Sequence, residues 1–96
     1  MELSKSDIVL SAAGRDSGLL FYVLDVEDDM VLLANGKERK LEHPKWKKLK
    51  HVRKVARSES RVAAKIRCGE RVLNSELRKD LAIFRQQINC HHQGGS

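Results

Sequence analysis

Ninety-six residues with 41% hydrophobic and 33% charged content bound the chain to one small domain whose core is close to marginal. No run of about 18 apolar residues occurs, which excludes a membrane-spanning helix, and the opening MELSKSDIVL has no basic start and apolar run of a secretory signal. The net charge of +6 is unevenly placed: residues 1–36 carry −5, residues 37–57 carry +8 and residues 58–96 carry +3, so a short central block is the footprint of a polyanion partner.

In chain order, 7–13 reads as a first strand. Gly14-Arg15-Asp16-Ser17-Gly18 follows, with a Gly at each end of a tight reversal, and 19–26 reads as a second strand. Both alternation sets of that strand are apolar. Leu20, Tyr22, Leu24 and Val26 fall on one side, and Leu19, Phe21 and Val23 on the other. Two apolar faces require a cover on the second one. Asp28-Asp29 marks a turn into a third strand, 30–34. Asn35-Gly36 is a strong hairpin signal, which predicts a fourth strand near 38–41. Pro44 interrupts, and 48–55 reads as a fifth strand anchored by Leu49. Five short antiparallel strands point to a small barrel, which removes exposed edges by closing on itself.

The period then changes. Ser58-Glu59-Ser60 can cap a helix carrying Val62, Ala63 and Ile66, and Gly69 stands where a helix ends. Asn74 or Ser75 can cap a second helix, in which Leu77, Leu81, Phe84 and Ile88 form an apolar stripe. Helices are expected over 59–68 and 75–89, with Arg78, Lys79, Arg85, Gln86 and Gln87 on the outer face. The fold class is therefore mainly β with an α tail. A five-stranded barrel over 1–56 precedes a helical hairpin over 57–90 that packs on it, and 91–96 is a disordered tail.

The candidate site residues are the basic ones and their neighbours. Lys37, Arg39, Lys40, Lys45, Lys47, Lys48, Lys50, His51, Arg53 and Lys54 supply phosphate contacts that release counterions. Trp46 is flanked by lysines. It either stacks on a base or packs partly buried, and packing is favoured because the chain has few aromatics. Arg15 at the loop tip can meet a phosphate, with Asp16 fixing the loop through backbone amides. Cys90, His91 and His92 lack the four-ligand set of a structural zinc site, so no metal and no cofactor are expected. Cys68 and Cys90 read as reduced thiols. No arrangement of nucleophile, base and orienting acid stands out, so no enzyme activity is expected.

Ile8-Val9, Gly14-Arg15-Asp16-Ser17-Gly18 and Phe21-x-Val23-x-x-Val26 resemble the KOW motif. The run FYVLDVEDDMVLLANGKERKLEHPKWKKLKHV resembles ribosomal KOW proteins of the fourteen-e, six-e and twenty-seven-e group. IRCGERVLNSELRKDLAIFR is similar to the helical tail of small bacterial KOW-domain proteins known as RNA-binding. The resemblance covers roughly residues 6–86. It implies an SH3-like barrel and binding to RNA, commonly ribosomal RNA, with the loop between the first two strands as a contact. The expectation is a cytoplasmic, monomeric RNA-binding module of the ribosome or its assembly. The alternative is a protein-interaction adaptor of the transcription or translation machinery that docks through its barrel or helical hairpin.

Overall fold

The computed structural model describes residues 2–94, with side chains described as far as Ile88. Five strands run in chain order: β1 (Asp7–Ser11), β2 (Leu20–Glu27), β3 (Met30–Ala34), β4 (Lys45–Lys48) and β5 (Val52–Arg57). A 3-10 turn (Leu49–His51) joins β4 to β5, and two helices follow, α1 (Arg61–Cys68) and α2 (Asn74–Gly94). The strands form one antiparallel sheet in the order β4-β3-β2-β1-β5. None of the described helices is long and apolar enough to cross a membrane.

β2 is central, and its period of two sends alternate side chains to opposite faces. Leu20 and Tyr22 join Ile8 and Ala34 under Val62, Ala63 and Ile66 of α1 and Leu77 and Leu81 of α2. Phe21 and Val23 join Val9, Val31, Leu33 and Val52 in a second cluster on the opposite face. The two apolar faces of β2 therefore each have a core, and the helices cover one of them. Each large side chain buried in these clusters contributes about 1.5–3 kcal/mol.

Val26 departs from simple alternation. The β2–β3 register shifts between Val23 and Asp25, which leaves Leu24 as an extra residue. A bulge of this kind reverses the facing of everything after it. Val26 accordingly packs with the Phe21 cluster, not with Leu20 and Tyr22.

The fourth and fifth strands also differ from expectation. No strand forms at 38–41. Asn35 Oδ1 accepts from the backbone N–H groups of Lys37 and Arg39 at 3.0 and 2.9 Å, and the N–H groups of Asn35 and Gly36 both donate to Arg39 O. These bonds close 35–39 into a loop and occupy groups that a ladder would need. Pairing resumes after Pro44, in β4. The expected strand over 48–55 is broken by the 3-10 turn. Leu49 N donates to Asp29 O at 2.8 Å, and Ala12 N donates to His51 O at 2.9 Å, so this turn is tied to the β2–β3 turn and to the end of β1.

The helices are set by their caps. Ser60 Oγ accepts from Ala63 N at 3.1 Å, so α1 starts after Ser60 and not at 59. Asn74 does not cap its own helix. Its Oδ1 accepts from Leu41 N at 2.8 Å and its Nδ2 donates to Glu42, while Glu76 Oε1 accepts from Leu73 N at the helix start. The Tyr22 hydroxyl meets Ser58, Ser60 and Asp80, which ties β2 to the β5–α1 junction and to α2. α2 extends over four residues of the expected 91–96 tail; Gly95 and Ser96 lie outside the described residues.

Candidate nucleic-acid interface

The site is built around a buried lysine. Alternation along β4 sends Lys45 and Lys47 to the side of their β3 partners Leu33 and Val31, which belong to the Phe21 cluster. A charged group entering that region needs partners. Lys47 Nζ finds two: it donates to Asp16 Oδ1 at 2.6 Å and to Ala13 O at 2.7 Å, with only 7% of the residue exposed. Asp16 Oδ1 also accepts from Ser11 Oγ at 2.8 Å, and Lys45 Nζ lies 3.5 Å from Asp16 Oδ2. Burial raises the Asp16 carboxyl. The hydrogen bonds from Lys47 and Ser11 and the positive charges of Lys47 and Lys45 outweigh it and hold the group at about 2.

Two expectations change here. Asp16 fixes the loop through Ser11 and two lysines, not through backbone amides. Lys47 is a structural latch between the loop and β4, so its charge is not offered to a ligand. The latch brings loop and basic block together. Arg15, Arg39 and Lys45 line one cleft of about 310 Å3 together with Asp16, Leu19, Phe21 and Glu38.

The other cations are dispersed. Lys40, Lys48, Lys50 and Arg53 are exposed, and His51 is half-buried in the 3-10 turn. Lys54 Nζ lies 3.5 Å from the buried Asp7 carboxylate. Trp46 faces away from Lys45 and Lys47, on the side of its β3 partner Leu32. It is 40% exposed and lines a shallow cleft with Glu27, Asp28, Asp29 and Met30. Trp46 is thus partly covered, as expected, but outside both core clusters, because the strand position leaves it on the outer face. Its setting is acidic, not basic.

A second cleft, of about 480 Å3, adjoins the first. Lys37, Arg78 and Arg85 line it, over Leu19, Leu20, Leu81 and Ala82. Arg78 also donates to Gly36 O at 3.1 Å. Arg78 and Arg85 were not among the candidates named from the sequence, yet the signal is there: they stand seven residues apart, on one helix stripe with Leu81. The side chains of Cys90, His91 and His92 lie outside the described residues, and Cys68 is an exposed free thiol. No protein-family model matches the chain, and a search of curated proteins finds no match either.

Proposed function

We propose that this chain is a non-enzymatic RNA-binding module of the KOW type that acts on ribosomal RNA in the cytoplasm. In this reading the sheet closes as an SH3-like barrel around the Val9, Phe21 and Val31 cluster, and the helices pack on its outside. One observation carries the reading. The Asp16–Lys47 latch holds the loop against β4, so that Arg15, Arg39 and Lys45 converge on one concave surface. Guanidinium groups there offer forked donors matched to phosphate oxygens, and Lys45 adds a charge that Asp16 partly offsets. The +8 of residues 37–57 supplies a wider attractive field.

Binding of ribosomal RNA fragments, followed by fluorescence anisotropy from low to physiological salt, tests this. Affinity should fall linearly on a log–log plot, with a slope of about 0.7–0.9 per phosphate contacted. Arg15→Ala with Arg39→Ala should weaken binding about tenfold or more and flatten the slope by about two contacts. Salt-independent binding, or none at low salt, removes the proposal.

One observation favours the adaptor reading. Ile83 and Ile88 of α2 are 45% and 39% exposed, although Ile88 continues the apolar stripe of Leu77 and Leu81. A protein partner seated there would be lost on Ile83→Asp with Ile88→Asp, while RNA affinity would stay unchanged.

A further inference from the structure

We propose that the RNA path continues past the loop 14–18 onto α2, and that its occupant is a single-stranded segment. This rests on the RNA-binding reading above and extends it. The two clefts share Leu19 and Glu38, so they form one continuous depression. At one end stand Arg15, Arg39 and Lys45, and at the other Lys37 and Arg85, with Arg78 partly engaged by Gly36 O. Duplexes are read by convex elements that enter a groove, whereas single strands lie in charged grooves of the protein. A concave path with cations at both ends fits the second case.

The middle of the path has a different chemistry. Leu19 and Glu38 are common to both clefts, and from there Leu20, Leu81 and Ala82 continue an aliphatic lining into the second. Glu38, with 43% of its side chain exposed, is oriented by Asn35 Nδ2 at 2.9 Å and lies 3.9 Å from Lys37 Nζ; the other carboxylate lining the depression, Asp16, is already engaged by Lys47 and Lys45. A carboxylate repels phosphate and accepts hydrogen bonds from exocyclic amino groups such as cytosine N4. The strand therefore crosses the loop with a base turned toward Glu38 and its phosphates anchored on either side. Bases with an exocyclic amino group are favoured there over uracil.

The test uses the full chain and single-stranded oligomers of about 4–16 nucleotides, with a duplex of the same sequence for comparison. Lys37→Ala with Arg85→Ala should weaken single-strand binding about tenfold and shorten the oligomer length at which affinity levels off. Arg71→Ala removes the same kind of charge from a separate cleft, beside Leu24 and Ile66, and should change nothing. Oligo(C) should bind more tightly than oligo(U), and Glu38→Gln should narrow that difference. All of these side chains are at least partly exposed, and unchanged melting temperatures would confirm intact folds. If the Lys37/Arg85 variant binds like the native chain while Arg15/Arg39 loss weakens binding, the path ends at the loop and this inference falls, leaving the RNA reading intact. Equal or tighter binding of duplex also overturns it. Absence of any RNA binding by the native chain removes both.

Discussion

Lys47 keeps its charge inside the protein, and its partner Asp16 reports on that arrangement through pH. The Asp16 carboxyl is held at about 2, below its ordinary value of 3.8. A depressed folded-state value stabilises the fold fully above about pH 4, and this is lost as pH falls toward 2. The loss should be roughly 2 kcal/mol, read from urea unfolding at successive pH values. Asp16→Asn should lower stability at neutral pH and lack this part of the acid limb; an identical acid limb in the variant would refute the assignment. Tyr22 gives the opposite case. Burial, and next the Asp80 carboxylate, push its hydroxyl up to about 12, while Ser58 and Ser60 oppose them. The fold therefore favours the neutral phenol. Its contribution is full below pH 10 and disappears between pH 10 and 12, by roughly 3 kcal/mol. Tyr22→Phe should unfold without that alkaline limb, and should cost about 1–3 kcal/mol at neutral pH because Asp80 loses a partner.

At the level of elements, α2 is seated on a glycine. Gly36 has φ +78°, and a Cβ built there would lie 2.3 Å from Asn74 O in the first turn of α2. Gly69, after α1, has nearly the same φ, yet its Cβ would meet nothing within 4 Å. The pair separates backbone strain from docking. Gly69→Ala should cost about 1 kcal/mol, and Gly36→Ala clearly more, because α2 must shift. Thermal unfolding followed by circular dichroism measures both; equal losses would mean that α2 does not rest on this contact. Local pattern was enough to locate β2, β3 and the two helices, because alternation and helical period lie within a few residues of each other; it did not give the Val26 facing or the start and end of α2. It was not enough for β4 and β5. Asn35-Gly36 carries a hairpin signal, but the Asn35 side chain satisfies the amides of Lys37 and Arg39 and forms a loop that α2, far along the chain, packs against. The bulge at Leu24 has no local mark, so Val26 was assigned to the wrong face. Lys47 looks like its neighbours in a basic run, and only the placement of β4 at 45–48 shows which lysine turns inward.

For the whole molecule, counting basic residues overstates what a polyanion meets. Lys47 is internal, Lys45 shares Asp16, and Lys54 faces Asp7. On the proposed RNA-binding reading, residues 37–57 should therefore contribute fewer phosphate contacts to the salt slope than their ten Lys and Arg residues would give. With Arg15, Arg78 and Arg85 each replaced by Ala, a slope still matching all ten would contradict the latch. The order of the sheet has a consequence in time. Three of its pairings, β1–β2, β2–β3 and β3–β4, join strands that follow one another, and only β1–β5 joins distant ones, with Ile8 opposite Ala56. Closing that long loop carries an entropic cost that the three local pairings largely avoid. The first four strands can meet while the later chain is still being synthesised, and β5 and the helices then complete the domain. In chevron measurements Val31→Ala should slow folding, whereas Leu81→Ala should mainly hasten unfolding. The cleft lined by Arg15, Arg39 and Lys45 would then exist before the one lined by Arg78 and Arg85 of α2, so a nascent chain would acquire the two halves of the proposed path in sequence.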